Sequence, residues 1–386
     1  MKSIIDLGMH PYADTFIPQE FVGRSEPVYP LECVLDEDTG HVKLLYLTDP
    51  EERYNLYPYS YTSSNSKVAK DHWKEYQRVT CSKLGIVKGD MVVEIGSNDG
   101  FLTKLYKDAG CSVLGVDPSK EMSTIAEQNG VPTKCMVFDE SSSEEIDVKA
   151  DLVIANNVFN HANDPVDFAL GVRNILKQTG VFVFQVPYWF NTIKDGKFDQ
   201  IYHEHPSYFT VRSSCNILKK AGLNVFDVEV VDYHGGSIRV YCSLDGRQRS
   251  KAVDECIQKE VEEGLFDVRR YERFMKDLQA DRDNFLHRLY EIKSKGYPIV
   301  AVGAAAKGNT FLNYYNLDNS VIDYVTDTSP HKVGKLTPLT RIPIDTDETV
   351  FSKYDKVYAI ILSWNISDML VSNLRKINSN IEFIEK

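Results

Sequence analysis

MVVEIGSNDGFL, residues 91–102, reads as a strand, a tight turn and the start of a helix. Met91 to Ile95 is a short β-branched run, and a helical pattern follows from Phe101 to Ala109. Glycines at 96 and 100 let backbone approach a ligand where a Cβ would collide. The helix N-terminus presents amide donors without intrahelical partners. A second apolar run, Val113 to Val116, ends at Asp117, about twenty residues past the turn, where a carboxylate can accept hydrogen bonds from both hydroxyls of a ribose. The pattern predicts a nucleoside site, although a plain βα turn of any α/β domain shares its outline.

Two cofactor classes compete for it. A dinucleotide turn reads G-x-G-x-x-G so that backbone can close on a pyrophosphate. Here Gly96-Ser97-Asn98-Asp99-Gly100 lacks the middle glycine, and Glu94 stands just before the turn. Its charge would repel a pyrophosphate and suit the cationic methionine end of S-adenosylmethionine. The spelling E-x-G-x-x-x-G resembles the first motif of class I S-adenosylmethionine-dependent methyltransferases. The cofactor residues expected on this reading are Glu94, Gly96, Ser97, Asn98, Asp99, Gly100 and Asp117, joined by Phe138, Asn156 and Asn157.

The bulk numbers suit a soluble enzyme. At 386 residues the chain can build two or three domains. A net charge of −12 with no dense basic run argues against nucleic acid as a partner. Seven scattered cysteines without a C-x-x-C predict reduced thiols in a cytoplasm. No leader peptide pattern opens the sequence and no apolar run is long enough to span a membrane, so a cytoplasmic location is expected.

Four regions follow from the patterning. Residues 1–72, rich in Pro, Tyr and Asp, predict a small loop-rich β unit with a run at Val42 to Leu47. Residues 73–250 alternate strands and helices, with strands at Val92–Ile95, Val113–Val116, Leu152–Ala155 and Val181–Gln185. Val225–Tyr233 and Ser237–Cys242 predict a closing hairpin around His234-Gly235-Gly236. Residues 251–296 read as charged amphipathic helices. Residues 297–386 form a second α/β pattern, with strands at Ile299–Val302, Val321–Thr326, Lys356–Leu362 and Ile381–Ile384.

Three further clusters carry chemistry. Tyr202, His203, Glu204, His205 and Tyr208 crowd one segment just after the strand ending at Pro187. The i, i+2 histidines do not match a zinc arrangement, and a general base with a positioning carboxylate is the better use. Asn156 to Pro165 follows another strand end, and its His161 is either catalytic or a helix cap. Gly303-Ala304-Ala305-Ala306-Lys307-Gly308-Asn309-Thr310 is a small-residue turn opening a helix, suited to an anion with Lys307 as counter-charge. It lacks the Lys-Ser/Thr pair of a Walker loop.

Taken in order, these residues resemble the bacterial sugar C-methyltransferases that methylate C-3 of nucleotide-linked 4-keto deoxy sugars. The resemblance spans nearly the whole chain. It rests on Asp6-Leu7-Gly8 with Pro11, Ala13 and Asp14, the tyrosine segment Tyr57 to Ser64, EIGSNDG, His161, Phe198 to His205, His234-Gly235-Gly236, GAAAKGNT, Asp327 to Lys332 and Ser363-Trp364-Asn365. It implies an α/β fold: a Rossmann-like class I methyltransferase domain (73–250), an N-terminal substrate lid (1–72), connecting helices (251–296) and a C-terminal Rossmann-like domain (297–386) that helps hold the nucleotide. It implies His205 as base, Glu204 orienting it or holding a sugar hydroxyl, Tyr202 as donor to the enolate, and His161, Tyr59 and Tyr61 in support. Lys307, His234, Gly235, Asn309 and Trp364 are the implied substrate contacts.

Family members usually carry a four-cysteine zinc cluster in the N-terminal unit, and here only Cys33 remains. One thiolate cannot hold a tetrahedral zinc. Either the unit folds without metal, the reading favoured here, or His10 and His41 substitute. Two rival functions are an O-methyltransferase acting on a sugar or other small molecule, and a non-catalytic nucleotide-sugar binder. A monomer or a homodimer fits equally well.

Overall fold

A computed structural model describes residues 1–55 and 66–385. Tyr59 and Tyr61 lie outside them.

The N-terminal unit is an antiparallel sheet. Its first three strands are β1 (Lys2–His10), β2 (Tyr29–Asp36) and β3 (His41–Leu44), in that spatial order. The third strand is shorter than the run Val42–Leu47, since Leu45, Tyr46 and Leu47 are exposed. Helix Lys67–Leu84 runs through residue 72, capped at its start by Ser66, whose hydroxyl accepts from Ala69 N.

The central sheet uses β4 (Met91–Ile95), β5 (Ser112–Asp117), β6 (Thr133–Cys135), β7 (Ala150–Asn156) and β8 (Leu176–Pro187), all parallel. Ser207–Tyr208 (β9) then leaves this domain and pairs antiparallel with β3, as the fourth strand of the N-terminal sheet. The hairpin β10 (Asn224–Val231) and β11 (Ser237–Ser243) closes the central sheet, β11 antiparallel to β8. The order is β6-β5-β4-β7-β8-β11-β10, so the winding reverses between β4 and β7. This is the class I methyltransferase arrangement.

Helices Lys251–Glu262 and Val268–Ser294 lead to the C-terminal sheet. Its strands are β12 (Ile299–Val302), β13 (Tyr324–Thr326), β14 (Ile344–Asp345), β15 (Val357–Ile361) and β16 (Ile381–Phe383), parallel in the order β14-β13-β12-β15-β16. Its reversal falls between β12 and β15. Val321 and Ile322, read from sequence as strand, are instead a buried turn whose amides bond to the Asp318 carbonyl. Leu31, Cys33, Tyr271, Phe285 and Phe311 belong to one apolar core, so the N-terminal sheet, the long helix and the C-terminal sheet are packed together. Among the described residues, no helix is long and apolar enough to cross a membrane.

Candidate active site

Ligands of open α/β sheets bind outside the carboxyl ends of the strands, where the winding reverses. In the central sheet that place is the turn after β4. Gly96 sits at φ 70°, and a Cβ there would come within 2.1 Å of Val158 Cγ2, so no side chain fits between turn and loop. Asp117 stitches the turn from the next strand. Its Oδ2 accepts from Asn98 N at 2.8 Å and its Oδ1 from Ser119 N at 2.9 Å. Burial pushes its carboxyl up, against those two amides. Glu94 is buried and accepts from the Thr103 hydroxyl. Burial, helped by the charges of Asp99 and Asp117, pushes it up to about 8.

The C-terminal sheet repeats this construction. Asp327 follows β13, its Oδ2 accepting from Ala304 N at 2.8 Å and its Oδ1 from Ser329 N at 2.8 Å. Gly303 N donates to the Thr326 carbonyl as Gly96 N does to that of Val116. The two crevices share one design, although only the first was read from sequence as a nucleoside site.

A cluster of titratable side chains gathers His161, His205 and Tyr202. The rings of His161 and His205 are 4.9 Å apart, and those of Tyr202 and His205 are 4.0 Å apart. His205 Nδ1 lies 3.3 Å from the Gln200 carbonyl. A carbonyl can only accept, so Nδ1 carries the proton and Nε2 is left basic. Burial lowers His205 to about 3, and the Arg53 charge acts in the same direction. His161 is lowered well below the usual imidazole value, by burial first and then by His205 and Arg53. Glu204 does not orient His205. Its Oε1 accepts from Asp14 N at 3.0 Å, and burial raises its carboxyl to about 7. The Gln200 carbonyl orients the imidazole instead.

The C-terminal domain closes one side of this recess. Trp364 Nε1 donates to Asp199 Oδ2 at 2.8 Å, and Gly235 is so close that a Cβ would meet Trp364 Cη2 at 2.3 Å. Lys307 lies over the indole, 3.9 Å from its centroid, and donates a hydrogen bond to Asn365 Oδ1. His234, at φ 53°, faces this group and is lowered to about 3 by burial, then by Lys307, His72 and His205. Thus Lys307, Trp364, His234 and Gly235 come together. Asn309, expected beside them, does not join: it is 2 % exposed and its Nδ2 donates to the Ala13 carbonyl at 2.6 Å. Two positions along a helix turn a side chain by about 200°, which points Asn309 away from Lys307. Phe138 packs edge-on against Phe168 in the core.

Buried polar atoms nearly always find partners. Along this edge several have none: Ser97 Oγ, both amide atoms of Asn156 and Asn160, Asn157 Oδ1, His203 Nδ1, Glu204 Oε2 and the Tyr208 hydroxyl. The set runs from the β4 turn to the histidine cluster. Donors and acceptors left open beside a buried carboxylate fit S-adenosylmethionine, which brings an ammonium, a carboxylate, ribose hydroxyls and an adenine.

Sequence reasoning missed two contributors from the N-terminal unit, the Asp14 amide and the buried Arg53. Zinc fails the same test of fit. Cys33 is fully buried in the apolar core, and burial pushes its thiol up. His10 Nε2 is 3.0 Å from the Leu7 carbonyl and His41 Nε2 is 3.3 Å from Ser207 Oγ. Among the described residues, no group of three or more His, Cys, Asp or Glu side chains could hold a metal ion.

Three family models match successive parts of the chain. Residues 1–54 match a family described as a putative zinc binding domain, 74–228 a methyltransferase domain, and 232–384 a C-methyltransferase C-terminal domain. C-methyltransferase NovU of Streptomyces niveus is 29 % identical over 382 residues, 98 % of this chain and 90 % of that protein. A solved S-adenosylmethionine-dependent methyltransferase from Clostridium acetobutylicum is 18 % identical, covering 47 % of this chain and 94 % of its own at a TM-score of 0.38. One from Thermotoga maritima, described as a possible histamine N-methyltransferase, is 18 % identical over 45 % of this chain and 94 % of its own, at 0.34. The fold assignment rests on strand order and the methyltransferase-domain match, and the activity on that match, the C-terminal match and the full-length relative: the chain is an S-adenosylmethionine-dependent methyltransferase, similar over nearly its whole length to a C-methyltransferase.

Proposed function

We propose that the protein methylates the carbon beside the ketone of a nucleotide-linked deoxy sugar. The observation that carries this reading is the cluster of His161, buried His205 and Tyr202, in which the His205 ring lies 4.9 Å from that of His161 and 4.0 Å from that of Tyr202. Such a carbon gives up a proton only if the enolate oxygen is stabilised. His205 Nε2 takes the proton, and its Nδ1–H stays on the Gln200 carbonyl throughout. Tyr202 donates to the enolate oxygen. Glu204 Oε2 holds a sugar hydroxyl, and Lys307 meets the diphosphate. The Asp327 crevice takes the nucleotide, as its likeness to the Asp117 crevice supports. Bound S-adenosylmethionine supplies an electrophilic methyl group. The loops hold the nucleophilic carbon in line and exclude water.

The test is incubation with labelled S-adenosylmethionine and a panel of nucleotide-linked 4-keto-6-deoxy sugars. Methyl incorporation at carbon is expected. Deuterium should exchange at C-3 in heavy water. Methylation of oxygen without exchange would establish the O-methyltransferase instead.

A further inference from the structure

Helix Pro50–Asn55 carries a buried cation, Arg53, only 4 % exposed. Arginine is almost never buried without a task for its charge. Its guanidinium runs between two loops of the central domain. NH1 donates to the His203 carbonyl at 3.0 Å and NH2 to Asn163 Oδ1 at 2.8 Å. Asn163 returns the tie, its Nδ2 donating to the Thr48 carbonyl at 3.2 Å. These contacts fall two residues after His161 and two before His205, so one planar fork holds both histidine loops.

The charge also acts on the surroundings: it disfavours protonation of His161, His203 and His205 and favours ionised Glu204. The other ionisable groups facing the histidine pair are Tyr202, stacked on His205, Asp14 beside Glu204, and His234 with Lys307 behind it. Tyr12 and Tyr29 pack on His203, and both donate to Glu52.

We propose that Arg53 is a positioning residue of the methyl-transfer site, registering the His161 loop against the His205 loop and supplying fixed positive charge beside the substrate anion. This rests on the reading of the site given above. The fork is a geometric device that lysine cannot reproduce, whereas the charge is one that it can. Proton removal from carbon creates an anion in a recess poor in water, where a preorganised cation is worth most.

The first test needs no substrate. Imidazole NMR signals of histidine-labelled protein are followed from about pH 7 to about pH 2, a span that takes in the lowered His205 value of about 3. In Arg53→Gln, His161 and His205 should protonate at a pH higher by about one unit or more, the size of a nearby charge at an effective dielectric of about 20. In Arg53→Lys they should stay near wild type. In the methyl-transfer assay, Arg53→Gln should lose about tenfold or more in kcat and move its acid limb to higher pH. Arg53→Lys should keep the limb in place at a reduced rate, and S-adenosylhomocysteine affinity should hold in both. Histidine titrations unmoved in Arg53→Gln overturn the proposal, as do titrations that move equally in both variants. Neither outcome depends on the substrate, so a wrong substrate class would show separately, as absent turnover in wild type.

Discussion

His161 and His205 face each other across 4.9 Å from loops that follow different strands of one sheet. Their pairing makes the identity of the base testable. His205→Asn should abolish both methyl transfer and exchange at the ketone-adjacent carbon, by about 10²–10⁴-fold, while S-adenosylhomocysteine still binds. Tyr202→Phe should slow both steps, because its hydroxyl acts on the enolate. Exchange retained in His205→Asn but lost in His161→Asn would move the base to His161.

We propose a double task for Asp117. Its carboxylate accepts two backbone amides, from Asn98 and Ser119, and retains lone pairs for a ribose. Asp117→Ala should weaken S-adenosylhomocysteine binding by roughly 1.5–3 kcal/mol, the worth of charge-assisted hydrogen bonds, and lower the melting temperature of the free protein. Calorimetry showing unchanged affinity would remove Asp117 from the cofactor site.

Glu94 should impose a pH dependence. Its folded value is about 8, raised by burial from an ordinary 4.5. The folded state therefore binds a proton that the unfolded state has released. Its contribution to stability is complete below about 4.5 and is lost as pH climbs through 8. Melting of the ligand-free protein should decline over that window, less steeply in Glu94→Gln. Glu204, raised to about 7, contributes a similar slope in both proteins, so their difference reports Glu94 alone. A cationic methionine group rewards the ionised form, so S-adenosylmethionine should stabilise the protein more above pH 8 than below it. Identical melting profiles for wild type and Glu94→Gln would refute this.

The N-terminal unit matches a putative zinc binding domain, yet its remaining cysteine is sealed in apolar packing. Purified protein should contain no stoichiometric zinc, and a chelator should leave its melting temperature unchanged. One zinc per chain by elemental analysis would mean that other ligands hold the metal.

The parts legible in the sequence are those with local causes. The turn from Glu94 to Gly100 and its partner Asp117 were readable because glycine spacing and a strand-terminal acid are short-range signals. The hairpin at His234 was readable from period-two alternation and a Gly-Gly turn. Thr133–Cys135 and Ile344–Asp345 were too short to leave a periodic trace. Arg53 and the Asp14 amide act on residues more than a hundred positions away, and nothing local announces them. Asn309 sat in the right motif on the wrong helical face. Glu204 and His205 are neighbours in sequence whose hydrogen bonds go to different units.

The pairing of Ser207–Tyr208 with His41–Leu44 bears on how the chain matures. During synthesis the first three strands emerge long before their fourth. Until the ribosome passes Tyr208, the outer edge of β3 has no partner, and an open edge invites pairing with other chains. Closing that edge seats a strand only two residues past His205. The N-terminal sheet is therefore complete only once the His205 loop has been made. Fragments ending before Ser207 leave that edge open and should aggregate.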